Sequence, residues 1–139
     1  MKNHGLKLMK NNGTRNPKID ATFFLPDLSG GGAEKIMAAL ANEFVGRGLR
    51  VDFVLVHATG VNLKFLSGKV RVVDLKAQNT YVCLPALMRY LNQSRPRVFL
   101  SSLDLTNLTA LIARKITGVK TWLVIRIENM VSAQKRPFI

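Results

Sequence analysis

Several things are scarce in this sequence, and each shortage closes off a class of protein. Cysteine occurs once, at Cys83, so no internal disulfide can form and a reducing compartment is the simplest setting. Histidine occurs only at His4 and His57, which with one cysteine gives no metal-ligand spacing; no metal or other cofactor is expected. No apolar run approaches the roughly 20 residues of a membrane span, and the amino terminus shows no apolar signal segment. Acidic residues are few: 8 Asp and Glu stand against 21 Lys and Arg, a net charge of +13. Such an excess bears on partners rather than fold. It suits nucleic acid, an anionic membrane face, or phosphorylated substrates such as sugar nucleotides and lipid phosphates; a solvated basic surface would read the same. Aromatics number seven Phe, two Tyr and one Trp, mostly within apparent core segments. The interleaved basic and aromatic pattern of a nucleic-acid binder is therefore missing, and nucleic acid is the weaker alternative.

What is present is a foldable core. Apolar residues make up 47% of 139 residues, enough for one ordinary domain. Residues 1–18 carry Lys2, Lys7, Lys10, Arg15 and Lys18 without an acid, and read as a flexible basic leader to a domain over 19–139. From there short apolar runs alternate with longer amphipathic ones. Strands are predicted over 21–25, 51–57, 70–75, 98–101 and 121–127, and helices over 32–47, 81–94 and 105–117. In the first helix Ile36, Leu40 and Phe44, flanked by Met37 and Ala41, form the expected inner stripe, with a Glu43–Arg47 pair outside and Gly48 at the terminating turn. The second helix repeats the design with Leu84, Leu87, Met88 and Leu91 and stops before Pro96; Cys83 reads as a small core residue. Alternation of this kind implies an α/β, doubly wound, mostly parallel Rossmann-like sheet with helices on both faces, in a single domain. Ligands of such sheets sit beyond the carboxyl ends of the strands, which selects residues 28–34, 57–62, 101–107 and 126–132.

Within the first of these lies "FFLPDLSGGGAEKIMAALANEF", where Gly30, Gly31 and Gly32 open a helix. Glycine is costly in ordered structure, so three together suggest close approach to the backbone, by a ligand's phosphate or in a tight turn alone. G-x-G-x-x-G would need its third glycine at Lys35, and no acid closes the second strand, so a dinucleotide is disfavoured. Gly68-Lys69 is followed by Val70, which excludes a P-loop, and no G-x-S-x-G elbow occurs. Asp104 stands either as the N-cap of the following helix or as a site residue.

"SGGGAEKIMAALANEFVGRGLRVDFVLV", "VRVVDL" and "LPALMRYLNQSRPRVFLSSLDLTNLTALIARKITGV" together resemble the amino-terminal domain of the family 4 glycosyltransferases, retaining enzymes of the GT-B fold. The resemblance runs from about Ile19 to Ser132, and its most specific pieces are G-G-A-E at Gly31–Glu34 and the segment from Ser101 to Asn107. It implies that Gly30, Gly31, Gly32, Ala33 and Glu34 face the donor's diphosphate across a cleft. By the same resemblance Asn107 and the loop from Arg126 to Asn129 line the acceptor side; His57, a loop residue near the pocket, and Asp104 are counted with them because they lie in the segments beyond the strand ends. Relatives often carry Glu-His-Asn where this chain reads Ile127-Glu128-Asn129, which makes Glu128 the candidate for a catalytic role.

The family's E-x7-E donor motif is absent; Glu34 and Glu43 come closest, one residue too far apart. The carboxyl-terminal donor domain is thus expected to be missing, and the chain alone to be inactive. The resemblance implies a nucleotide sugar and a glycan or lipid-linked acceptor as partners, and a cytoplasmic protein that can touch the inner membrane face through its basic surface. A second subunit supplying the donor half is the other expectation.

Overall fold

The computed structural model describes residues 18–127. Residues 1–17 of the leader expected over 1–18, and Glu128 and Asn129, lie outside the described residues. The chain runs β1 (Ala21–Leu25), α1 (Gly32–Gly46), β2 (Val51–Leu55), a 3-10 turn (Val61–Phe65), β3 (Arg71–Asp74), α2 (Leu84–Ser94), β4 (Val98–Ser102), α3 (Asp104–Thr117) and β5 (Trp122–Arg126). The five strands form one parallel sheet in the order β3-β2-β1-β4-β5. Phe23 pairs with Phe53 on one side and Leu100 on the other, so β1 is the central strand from which the chain winds both ways.

Alternation along the strands divides the core in two. Phe23, Leu25, Phe53 and Leu55 face α1, where Met37, Ala41 and Val45 meet them. Phe24, Val54 and Phe99 face the other way, onto Leu87 and Leu91 of α2 and Ala110 and Ala113 of α3. Full burial of each such side chain contributes about 1.5–3 kcal/mol. Helices on both faces of a parallel sheet are what the sequence pattern implies.

The inner stripe of α1 is not the expected one. Ile36 and Leu40 are 45% and 36% exposed, while Ala33, Met37, Ala38, Ala41 and Val45 are buried. Both stripes are apolar at i,i+4, and the sheet takes the one rich in alanine. Phe44 packs from the flank, its ring edge-on to Phe23 at 5.5 Å. The expected Glu43–Arg47 pair forms at 2.9 Å on the exposed face, and Gly48 adopts φ +88 just past the helix end. The second helix begins later than predicted, at Leu84, with Pro85 in its first turn; Tyr81 is exposed before it, and Cys83 is buried with its thiol donating to Thr80 O. Burial pushes the Cys83 thiol up to about 11.

A polar chain crosses the α2 side of the sheet. Asp52, 1% exposed, accepts two hydrogen bonds from the Arg71 guanidinium at 2.9 and 2.6 Å and a third from the Tyr90 hydroxyl at 2.6 Å. The Tyr90 oxygen lies 2.6 Å from that of Thr22, which ties β1, β2, β3 and α2 together. Burial, reinforced by the Asp52 carboxylate, holds the Tyr90 phenol well above its usual range. The hydrogen bond to Asp52 likewise raises the Arg71 pKa.

Candidate functional site

In this strand order the chain reverses direction between β1 and β4, and the crevice lies beyond their carboxyl ends. One wall is the loop from Pro26 to Gly31 and the mouth of α1. The other is the end of β4 with the first turn of α3, backed by the end of β5.

The glycine wall is shaped by a neighbour. Leu28 N–H donates to Thr59 O, and Asn62 N–H donates to Leu28 O, both at 2.9 Å, so the loop after β2 is laced to the loop after β1. The contact is so close that a Cβ at Gly60 would sit 2.1 Å from the Leu28 carbonyl carbon, and Gly60 holds φ +121. The backbone approach that demands a glycine for packing is therefore at Gly60. At Gly32 a Cβ would meet nothing within 4 Å, and Gly30, at φ +126, turns the chain. Gly31 and Gly32 are exposed, whereas Ala33 is buried beneath them.

The mouth of α1 thus carries two exposed glycines with the Glu34 side chain beside them. Lys35 N–H donates to Gly31 O at 3.2 Å, and the amides before it in the turn have no acceptor within the helix. They and the helix dipole favour negative charge or a ligand oxygen. Glu34 is in the first turn, and its Oε1 would lie 2.5 Å from a Cβ at Gly31. This carboxylate folds back over the opening, where it steadies the dipole and can accept a bond from a hydroxyl.

The second wall is strained. Leu103 adopts φ +80, which a bulky L residue rarely takes and which costs on the order of 1–3 kcal/mol. Two bonds to Leu103 O hold it there: one from Asn107 N–H at 2.9 Å, one from the Thr106 hydroxyl at 2.9 Å; that hydroxyl also bonds Ser102 O. Because Leu103 occupies the cap position and no side-chain cap bond forms, Asp104 is not the N-cap. It is the first helical residue, exposed, and adds charge at the dipole's positive end.

Asn107 is 6% exposed; its Nδ2 donates to Arg126 O at 3.1 Å, while its Oδ1 is buried with no partner. Ser101 Oγ, fully buried at the end of β4, is likewise unpaired. Arg126 donates to Ser102 Oγ at 3.4 Å. Two orphaned buried polar atoms at one strand end are expensive unless something bonds them. Asn107 was named from the sequence, whereas Ser101 was legible only through the choice of residues 101–107.

His57 lies beyond β2, exposed, its N–H donating to Pro26 O at 3.0 Å. It supports the base of the glycine loop rather than the β4 wall. Asn62, which ends the selected segment 57–62 but was not singled out in it, is 2% exposed with an unpaired Nδ2. A cavity of about 470 Å³ lined by Arg50, Asp52, Lys69 and Arg71 lies at the opposite pole, where the buried carboxylate is already paired. Among the described residues no three His, Cys, Asp or Glu gather to hold a metal ion, and no helix is long and apolar enough to cross a membrane.

No protein-family model matches the chain. It is 34% identical over 128 residues, 85% of its own length, to the GalNAc-alpha-(1->4)-GalNAc-alpha-(1->3)-diNAcBac-PP-undecaprenol alpha-1,4-N-acetyl-D-galactosaminyltransferase of Campylobacter jejuni. The chain spans about a third of that relative's length, 34%. It is thus weakly homologous to part of a glycosyltransferase, and its sheet is the Rossmann-like kind found in GT-B enzymes.

Proposed function

We propose that this chain, homologous to part of a bacterial glycosyltransferase, forms the acceptor-side wall of a retaining family 4 enzyme. Such an enzyme moves a sugar from a nucleotide-sugar donor to a glycan or lipid-linked acceptor. One observation carries the reading: beyond the carboxyl ends of the adjacent strands β1 and β4 stand the exposed glycines at the mouth of α1 and two unpaired buried polar atoms, Ser101 Oγ and Asn107 Oδ1. A glycosyl transfer site needs this kind of surface. Helix amides favour a diphosphate, and fixed acceptors orient the attacking hydroxyl by hydrogen bonds. Asn107 Oδ1 accepts a bond from an acceptor hydroxyl, and the Arg126 carbonyl fixes the amide's orientation for it. Glu128 remains the candidate for proton handling, and Asn129 for an acceptor contact.

The described residues provide one wall, and a donor domain, on the same or a second polypeptide, provides the other. A split enzyme, its donor half on a second polypeptide, is the second reading. The purified 139-residue chain is expected to bind a lipid-linked or glycan acceptor and to transfer no sugar from any nucleotide-sugar donor. Asn107→Ala lowers that affinity about tenfold, the value of one hydrogen bond. Turnover by the chain alone, or acceptor binding indifferent to Asn107, overturns the proposal.

A further inference from the structure

We infer that the free edge of β5, with the adjoining flank of α3, is a docking surface for a second copy of this chain. Among the described residues β5 has a strand neighbour on one side only, β4. Trp122 N–H donates toward β4, to Arg97 O, and alternate residues of a parallel strand bond the same neighbour. Leu123 and Ile125 therefore turn their backbone N–H and C=O groups outward. An edge of this kind is a template for another strand.

What selects the partner is α3. Asp104, Leu108, Leu111 and Lys115 recur at spacings of four, three and four residues, so they line up as one stripe along the helix. All four are exposed, Leu108 and Leu111 at 53% and 48%. The stripe borders the strand edge, because Leu111 stands between Asn107 and Arg114, which donate to Arg126 O and Thr121 O at the two ends of β5. Neither Asp104 nor Lys115 has an ion-pair partner among the described residues.

The order of the stripe is self-complementary. Laid antiparallel on its own copy, it sets Asp104 beside Lys115 of the second copy and Leu108 beside Leu111 of the second copy, each contact occurring twice about a two-fold axis. The same axis suits the strand. The bonds from Asn107 and Arg114 put the middle of the stripe level with Val124. About Val124, β5 pairs antiparallel with its copy, and Leu123 exchanges both backbone bonds with Ile125 of the second copy. α3 lies over β4 and β5 alike, so with strands about 4.8 Å apart the two helices come to about 10 Å, an ordinary packing distance. One operator thus satisfies edge, leucines and charges together, which an unrelated strand has no reason to do. The β1–β4 crevice lies inside the sheet, away from this edge, and stays open in each copy.

Sedimentation velocity of the 139-residue chain at about 100 µM, where a micromolar interface is filled, tests this. The expected mass is that of two chains. Leu111→Lys, at an exposed helix position that tolerates lysine, is expected to give monomers with an unchanged helical spectrum. Asp104→Lys and Lys115→Asp each set like charges together twice and are expected to weaken association about tenfold, whereas the two exchanges combined in one chain restore it. A chain that stays monomeric, or a dimer that survives Leu111→Lys, overturns the proposal. So does a dimer that the single and combined exchanges weaken alike.

Discussion

β1 and β2 bury every residue they contain, whereas β5 leaves Trp122 76% and Val124 44% exposed. The two regions read alike in sequence: "ATFFL", "VDFVL" and "WLVIR" are all nearly continuous apolar runs. What separates them is position. β1 sits at the centre between α1 and the α2–α3 layer, while β5 is the edge, and of the described helices only α3 packs against it closely. The outer side of α3 matches it, with Leu108, Leu111 and Ile116 about half exposed at 53%, 48% and 58%. The central strands therefore hold the stability, and the switch point they frame inherits its rigidity from them.

The comparison breaks most visibly at Phe53, which is fully buried and stacked on Phe23 with centroids 5.7 Å apart. Phe53→Ala is expected to cost about 3–5 kcal/mol in urea unfolding, against about 0.5 kcal/mol or less for Val124→Ala. Equal losses would erase the distinction between the halves.

A sharper contrast lies within the glycines. Gly60→Ala forces a Cβ into the Leu28 backbone at a positive φ and is expected to cost about 2–4 kcal/mol. Gly32→Ala enters open space on the first residue of α1 and is expected to leave stability unchanged or raise it by up to about 1 kcal/mol, so its melting temperature does not fall. Thermal melts of the two variants side by side decide this.

Next in size is the polar chain. Tyr90→Phe removes the hydroxyl that joins Thr22 to Asp52 and is expected to cost about 1–3 kcal/mol, with Asp52 still held by Arg71.

The smallest effect is alkaline. The Cys83 thiol ionises near 9.0 when free and near 11 in the fold. Between those values the unfolded chain binds fewer protons than the folded one, so stability falls as pH rises through that window and is flat below it. Tyr90, also raised, adds the same sign at higher pH. Urea midpoints across that window should decline less in Cys83→Ala.

Much of the architecture was legible because it depends on period and punctuation: strand runs of fixed length, helices opened by Gly32 or closed near Gly48 and Pro96, and a fixed alternation. What was not legible depends on which of two equivalent options packs. Ile36–Leu40–Phe44 and Ala33–Met37–Ala41 are equally periodic, and it is the second that the helix buries. Asp104 has the right chemistry for a cap, but the strained Leu103 takes that place through bonds from Thr106 and Asn107. The site was read as a triple glycine needing room. The room for packing is needed at Gly60, and Asn62 beside it became visible only once the loops after β1 and β2 were laced together.

The claim at the centre is that the exposed Gly31 and Gly32 at the mouth of α1 form a platform for a ligand. Amide chemical shifts of the nitrogen-labelled 139-residue chain, followed during titration with uridine diphosphate, test it most directly. The account predicts that the shifts concentrate at Gly30, Gly31, Gly32, Ala33 and Glu34, with a smaller response from Ser101 to Asn107. Shifts confined to the opposite pole around Arg50, Lys69 and Arg71, with the glycine loop unmoved at saturation, would contradict it.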